Sequence, residues 1–227
     1  MNNNILVLGC GSQSRYVIDI ADYDNSINIL GLIDVENGNS VNNIINGKKV
    51  IGKIRDVEKL FSPKEIKLVV AHGNNSLKQV LVKHFTDLNY LFSNVISPLA
   101  TISKYALLSG EGIIICHNVT IQPNAKIGSH VIIHSNSVIE HDCTIGDYSN
   151  IAPSVTLAGY VSVGKKSYVY TGASIIPRIL IGDESVVGAG SVVLQDVPNK
   201  TIVAGVPSKI LKFVKDETLS VSIIEQK

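Results

Sequence analysis

The sequence is poor in the residue types that would indicate several common classes of protein. Its 227 residues include no tryptophan, one methionine and three cysteines, and aromatic side chains make up 5%. The net charge is +1, so composition gives no electrostatic reason to expect binding to nucleic acid or to an acidic membrane surface. No apolar run approaches the ~20 residues that cross a bilayer. We therefore expect neither a nucleic-acid partner nor a membrane span.

The cysteines and the first residues bear on the compartment. Cys10, Cys116 and Cys143 are widely spaced and odd in number, and no CxxC pair suggests a metal site. The first residues, MNNNILVLGCG, lack the basic region and cleavage pattern of a signal peptide. These features predict a cytoplasmic protein with reduced thiols and no metal.

What the sequence does contain begins with an alternation of strands and helices over residues 1–96. "NILVLG" reads as a buried strand, "RYVIDIADY" has helical spacing, and "INILGLID" reads as a strand that ends at Asp34. A later strand precedes "HGNN", and the helix after it has Ser76 as its N-cap candidate. This βαβ order predicts a small α/β, Rossmann-like domain. The first turn has Gly9 and Gly11 but Ser14 in place of a third glycine, which argues against a full dinucleotide fingerprint.

The remainder of the chain is a repeat of six residues. Every sixth position holds an aliphatic residue: Ile115, Ile121, Ile127, Ile133, Ile139, Ile145, Ile151, Leu157, Val163, Val169, Ile175, Ile181, Val187 and Val193. The position four residues later is mostly small or β-branched, and glycine often follows the aliphatic residue directly, which we interpret as relaxing the backbone at a turn. Such a period predicts stacked coils of three six-residue sides, an all-β domain over residues 97–212.

Both ends of the repeat depart from the pattern. Ser103 and Ser109 occupy aliphatic places, which predicts an irregular first coil. Residues 213–227 fall outside the repeat and are predicted to form a short helix or tail.

One histidine in the repeat is placed for chemistry rather than packing. His141 follows Ile139 by two positions, so it occupies neither inward place and projects from the coil. Its neighbours Glu140 and Asp142 can bond one ring nitrogen and make the other more basic. A general base on a rigid scaffold is therefore our interpretation of His141.

The stretch "IEHDCTIGD", followed by "IAP" and "LAG", resembles a motif of the NeuD/PglD-like sugar acyltransferases, and the repeat resembles that of left-handed parallel β-helix proteins. The resemblance implies a left-handed coil and a homotrimer that uses acetyl-CoA, bound between neighbouring coils. It also implies that His141 is the base that deprotonates the group attacking the thioester, that Asp142 tunes it, and that the N–H of Gly159 binds the oxyanion.

The same resemblance supplies the expected binding residues. Acetyl-CoA is expected at Thr171, Gly172 and Ala189, and at Asn150, where many members have a second histidine. A nucleotide-linked sugar is expected in the first domain, at Gly11, Ser12, Gln13, Asp34, Gly73 and Asn74. His134 stands where asparagine is common in the family and is assigned to the acceptor site, and Gln13 stands where histidine is common.

The expected function is N-acetylation of a nucleotide-linked 4-amino-4,6-dideoxy sugar for surface glycans such as lipopolysaccharide or capsule. O-acetylation of a sialic acid or related sugar is the alternative within enzymes of this kind. From other classes, the chain could be a zinc hydratase or a non-catalytic trimer that binds sugar nucleotides. A zinc site would need His117, His134 and His141 to converge, but His117 and His134 fall at different places in the six-residue repeat.

Overall fold

The computed structural model describes residues 3–213, which form two compact units. Unit 1 extends to Pro98, and unit 2 begins at Leu99. Apart from Phe213, the predicted helix or tail over 213–227 lies outside the described residues. Within the described part of the chain, no helix has both the length and the apolar composition needed to cross a membrane.

Unit 1 is an α/β domain, as the alternation of strands and helices predicts. Its sheet has the order β3-β4-β2-β1-β5-β6, and its strands are parallel except for the β3–β4 pair. The elements are β1 (Asn3–Leu8), α1 (Ser12–Tyr23), β2 (Ile27–Asp34), β3 (Ile44–Ile45), β4 (Lys48–Lys53), a 3₁₀ turn (Ile54–Asp56), α2 (Val57–Leu60), β5 (Lys67–Val70), α3 (Asn75–Asp87), β6 (Leu91–Phe92) and β7 (Val95–Ile96).

The centre of this sheet is apolar because it is covered on both faces. In β1, Ile5, Leu6, Val7 and Leu8 are all completely buried, as expected of a central parallel strand that reads as a continuous apolar run. One local prediction is wrong. Asn74, not Ser76, caps α3, because its side-chain oxygen accepts hydrogen bonds from the N–H groups two and three residues later, both at 3.0 Å.

Unit 2 is a left-handed parallel β-helix built from six-residue sides. Each strand pairs with the strand three further along, so three strands make one coil. All fourteen aliphatic positions of the repeat are at most 2% exposed, which confirms the predicted inward face. The strands are β8 (Thr101–Ile102), β9 (Leu107–Leu108), β10 (Ile114–Ile115), β11 (Thr120–Ile121), β12 (Lys126–Ile127), β13 (Ile132–Ile133), β14 (Val138–Ile139), β15 (Thr144–Ile145), β16 (Asn150–Ile151), β17 (Thr156–Leu157), β18 (Ser162–Val163), β19 (Tyr168–Val169), β20 (Ser174–Ile175), β21 (Leu180–Ile181), β22 (Val186–Val187), β23 (Val192–Val193), β24 (Thr201–Ala204) and β25 (Lys209–Phe213).

The first coil is regular but shifted by one residue. Ile121 pairs with Ile102 and Ile127 pairs with Leu108, so these partners are 19 residues apart instead of 18. Ser103 and Ser109 therefore do not stand in the aliphatic places, and the prediction of an irregular coil is wrong. The extra residue lies between Leu108 and Ile115, a segment in which Gly112 has a φ of +66°.

The corners of the coil work differently from the prediction. The left-handed backbone conformation falls three residues after each aliphatic position, mostly at residues other than glycine, as at Asn118 and Asn124. The glycines that directly follow the aliphatic residues instead allow the coils to stack closely. A Cβ on Gly146 would lie 2.7 Å from the carbonyl carbon of Gly164, and one on Gly188 would lie 2.7 Å from the Cβ of Ala204.

A column of buried serines ties successive coils together. The Ser149 hydroxyl donates to the Gly164 carbonyl at 2.7 Å and accepts from the N–H of Ser167 at 3.0 Å. Ser167 repeats the arrangement with the Gly182 carbonyl and the N–H of Ser185. Because each buried hydroxyl both donates and accepts, these polar residues stabilise the interior without leaving unsatisfied groups. The result is a rigid support for side chains on the outer edges.

Candidate active site

The predicted base and its acid form a hydrogen-bonded pair on one edge of unit 2. His141 Nδ1 lies 2.9 Å from Asp142 Oδ2. A carboxylate can only accept, so Nδ1 carries the hydrogen and the Nε2 lone pair is left to take a proton. The bond to His141 is the main cause of a lowered pKa at Asp142, and it outweighs desolvation, which acts in the opposite direction. The Asn124 amide, 3.2 Å from Asp142 Oδ1, lowers this pKa further.

Gly159 keeps the space beside the imidazole open. It lies one coil after His141, and a Cβ built on it would lie 2.7 Å from both Cε1 and Nε2 of His141. Any side chain at this position would therefore collide with the nitrogen that is free to act as a base. Among the hydrogen bonds of residues 3–213, none uses the N–H of Gly159, so this donor is available next to the histidine.

Two residues beside the pair are absent from the predicted site. The Tyr160 ring meets the His141 ring edge-on, with centroids 5.2 Å apart and an interplanar angle of 89°. The Arg178 guanidinium lies 4.5 Å from the centroid of the Tyr160 ring. A sequence signal for both existed, because a coil of 18 residues places positions 142, 160 and 178 in one row.

The residues predicted to bind acetyl-CoA lie on a different edge. Thr171, Gly172 and Ala189 are exposed, and Thr171 and Ala189 are one coil apart. Gly172 belongs to the corner row that also contains Ser154 and Gly190, whereas Asp142 belongs to another row. The structure therefore groups these three residues with one another but not with His141 of the same chain.

Two further predicted residues lie inside the structure. Asn150 has no exposed surface, and His134 is 3% exposed. Asn150 lies on β16, in register with Ile132 on one side and Tyr168 on the other. Neither side chain reaches the surface as the structure stands.

Unit 1 has its own cavity of about 350 Å³, at the carboxyl ends of β1, β2 and β5. This is the edge of a parallel sheet where α/β proteins bind ligands. Five of the six residues predicted there line the cavity, and the full lining is Cys10, Gly11, Ser12, Gln13, Val35, Glu36, Ser40, Ala71, His72, Gly73 and Asn74. A larger hollow at Asn3, Pro63 and Leu91 contains none of the predicted residues.

The first turn of α1 gives this cavity an affinity for anions. Gly11 is the N-cap and supplies no side-chain acceptor. The free N–H groups and the positive end of the helix dipole therefore face the cavity, an arrangement that suits a phosphate group. Gly9, just before, has a φ of +128°, and a Cβ there would strike the carbonyl oxygen of Ala71.

The sixth predicted residue, Asp34, supports the cavity wall instead of lining it. Asp34 is 3% exposed, and its two carboxylate oxygens accept from the N–H groups of Glu36 and Ser40, each at 2.9 Å. Burial alone would raise its pKa, but these backbone hydrogen bonds outweigh burial and lower it. The carboxylate thus fixes the loop that follows β2.

His72 and Glu36 are cavity residues that the sequence did not identify. His72 Nε2 lies 3.2 Å from Glu36 Oε1, and His72 Nδ1 accepts from the N–H of Asn74 at 3.1 Å. The only sequence signal for His72 was its position directly before Gly73. The pair brings a carboxylate and an imidazole to the cavity rim.

The histidines of the zinc alternative do not form a ligand cluster. Over residues 3–213, no three His, Cys, Asp or Glu side chains are grouped as a metal ion would require. The Nδ1 of His141 is instead bonded to Asp142.

The repeat, the exposed histidine–carboxylate pair and the α/β unit define a class, the hexapeptide-repeat acyltransferases. Family models confirm both units: "PglD N-terminal domain" matches residues 4–85, and "Bacterial transferase hexapeptide (six repeats)" matches residues 124–159.

Solved structures cover nearly the whole chain. PerB from Caulobacter crescentus, in complex with CoA and GDP-perosamine, is 31% identical, with 92% of this chain and 98% of that chain covered and a TM-score of 0.82. The acetyltransferase domain of PglB from Neisseria gonorrhoeae, in complex with acetyl coenzyme A, is 27% identical, with 93% and 100% covered and a TM-score of 0.85. The chain belongs to the NeuD/PglD-like family of sugar acyltransferases.

A curated relative matches over a much shorter stretch. A 2,3,4,5-tetrahydropyridine-2,6-dicarboxylate N-acetyltransferase from Thermoanaerobacter is 67% identical over 30 residues, which is 13% of this chain and 12% of that protein. A match of this length supports the repeat and does not inform the substrate.

Proposed function

We propose that the protein transfers an acetyl group from acetyl-CoA to the amino group of a nucleotide-linked 4-amino-4,6-dideoxy sugar. The observation that carries the proposal is the His141–Asp142 pair, with Nε2 next to the open space at Gly159. Support comes from PerB, whose structure holds CoA and GDP-perosamine and which is similar over 92% of this chain. The product would serve surface glycans such as lipopolysaccharide or capsule, made in the cytoplasm.

In the proposed reaction, His141 acts as a general base. Its Nε2 removes a proton from the sugar amine as the amine nitrogen attacks the thioester carbonyl carbon. The N–H of Gly159 donates to the oxyanion of the tetrahedral intermediate. When the intermediate collapses, the C–S bond breaks, and the protonated His141 returns its proton to the departing thiolate. Asp142 stabilises the imidazolium and holds the ring through Nδ1.

The cavity of unit 1 is proposed to bind the nucleotide part of the acceptor. The N–H groups at the start of α1 suit the diphosphate, and Gly11, Ser12, Gln13, Gly73 and Asn74 supply the walls. Asp34 contributes by fixing the loop from Glu36 to Ser40.

Acetyl-CoA is proposed to bind along the exposed edge of Thr171, Gly172 and Ala189. This edge is not that of His141 in the same chain, so the assignment requires a neighbouring chain, in keeping with the homotrimer that we also propose. Asn150 and His134 are proposed to contribute beneath the CoA and acceptor sites, respectively, because both are buried.

The experiment that tests the function is a thiol-release assay. Purified protein and acetyl-CoA are mixed with GDP-, UDP- and dTDP-linked 4-amino sugars, with the matching 4-hydroxy sugars and with sialic acid. Release of CoA only with an amino sugar, together with an N-acetylated product by mass spectrometry, supports the proposal. Release with sialic acid would indicate O-acetylation, and nucleotide binding without any release would indicate a non-catalytic binder.

A further inference from the structure

The histidine–aspartate pair lies in a row of four side chains on one edge of the β-helix. Asn124, Asp142, Tyr160 and Arg178 follow one another at intervals of 18 residues, and all have a left-handed φ between +60° and +69°. Because the backbone conformation repeats at each corner, successive side chains leave the edge in the same way and lie above one another. Asp142 therefore has Asn124 on one side and Tyr160 on the other.

Tyr160 contacts both members of the catalytic pair. Its ring meets the His141 ring at 89° with 5.2 Å between centroids, which is a favourable edge-to-face arrangement. Its hydroxyl is a hydrogen-bond donor to the Asp142 carboxylate, in addition to His141 Nδ1 and the Asn124 amide. The backbone completes the contact, since the N–H of Tyr160 donates to the His141 carbonyl at 3.1 Å.

Arg178 holds the tyrosine ring from the far side. Its guanidinium lies 4.5 Å from the ring centroid, a cation–π distance, and its N–H donates to the Gly159 carbonyl at 3.0 Å. Tyr160 is 46% exposed, and a tyrosine with that much exposure would otherwise sample several rotamers. The ring is thus restrained between Arg178 and His141.

We propose that Tyr160 is a positioning residue that holds the carboxylate of Asp142 on Nδ1 of His141 and so keeps Nε2 as the unprotonated, basic nitrogen. His141 and Asp142 are 50% and 31% exposed at their side chains, so water competes for the bond that joins them. A second and a third donor on the carboxylate reduce its freedom to rotate away. The proposal rests on the proposed function, in which Nε2 takes the proton of the sugar amine.

The test measures the tautomer of His141 directly. Protein labelled with ¹⁵N-histidine is studied by NMR at a pH at which the imidazole is neutral, and the His141 signals are assigned by their absence from a His141→Ala spectrum. We expect the Nδ1–H form to dominate in the parent protein. Tyr160→Phe should increase the Nε2–H fraction, because it removes the hydroxyl but keeps the ring. Tyr160→Ala should increase this fraction further, and Tyr23→Phe, an exposed tyrosine on α1, should leave it unchanged.

Kinetics supply the second readout. Loss of one hydrogen bond to a charged but partly exposed group should lower kcat by roughly three- to thirty-fold in Tyr160→Phe, with little change in KM. A tautomer ratio in Tyr160→Ala equal to that of the parent would overturn the proposal. If the parent protein acetylates no amino sugar, the proposed function fails, but the tautomer measurement still decides the role of Tyr160.

Discussion

At the scale of single residues, the chemistry depends on one ring nitrogen and on what lies next to it. Nε2 of His141 has the orientation of a base because Asp142 engages the other nitrogen, and it has room because position 159 has no side chain. Each of these two conditions can be removed by one substitution.

The first substitution is His141→Ala. A positioned general base contributes about 10²–10⁴-fold in rate, so we expect kcat to fall by that order with little change in KM. The side chain is exposed and projects from the coil, so folding and acetyl-CoA binding should be unchanged. Steady-state kinetics with the identified acceptor checks this, with His84→Ala on α3 as the matched control. Retention of more than about a tenth of kcat would rule out His141 as the base.

The second substitution is Gly159→Ala. The added Cβ would lie 2.7 Å from Nε2 of His141, so the ring must move or lose access to substrate. The backbone N–H remains, which separates the loss of space from the loss of the oxyanion donor. We expect kcat to fall by at least about ten-fold, as misplacing a catalytic group can cost ~10²-fold. Circular dichroism should show an unchanged fold, and an active variant would mean that the space at Gly159 is not used.

The sequence predicted the residue-scale site only in part. The His141–Asp142 pair follows from the six-residue register together with the motif. Tyr160 and Arg178 were missed because they occupy corner positions, where exposed side chains of any type are tolerated. What connects them to Asp142 is the 18-residue coil, and this connection requires treating sequence positions 18 apart as neighbours.

At the scale of elements, the same rule explains both successes and failures. The aliphatic period predicted the β-helix because burial enforces it at every sixth position. The corner glycines were misinterpreted, because close stacking between coils is not visible in a one-dimensional pattern. The first coil was called irregular because a one-residue insertion before Ile115 moved its aliphatic residues out of the assumed register.

Helix α3 carries a buried charge that gives a prediction about stability. Lys78 is completely buried, and desolvation lowers its pKa to about 7. The unfolded chain keeps the ordinary pKa near 10.4, so between these values it binds one more proton than the folded chain does. Stability should therefore increase as the pH rises from about 7 towards 10.

We expect Lys78→Met to remove much of this pH dependence and to raise the unfolding temperature at pH 7 by roughly 5 °C. Thermal unfolding followed at 222 nm is the measurement, because within residues 3–213 the α-helices all belong to unit 1. Lys83→Met on the same helix is the control, since Lys83 is exposed and pairs with Asp87 at 2.9 Å. An equal pH slope in Lys78→Met and the parent would contradict the assignment.

At the scale of the whole molecule, the proposed homotrimer follows from the composition of a β-helix face. The outward residues of the sheet β8-β11-β14-β17-β20-β23 are uncharged, as Val138, Thr156 and Ser174 illustrate. An uncharged, flat face on a rigid prism is suited to packing against another copy, where a desolvated charge would be costly. The proposed CoA edge also lies away from His141 of the same chain, so a second chain would complete the site.

We expect light scattering to give three times the chain mass of 24.4 kDa at micromolar concentration. Thr156→Arg, which places a charge in the middle of this face, should yield monomers that retain the β-helix but lose acetyl transfer. Thr86→Arg, the same change at an exposed position on α3, should remain trimeric and active. A monomeric mass for the parent protein would refute the trimer. A trimeric Thr156→Arg would show that the chains pack through a different face, because an arginine cannot be buried unpaired at an interface without a cost of several kcal/mol.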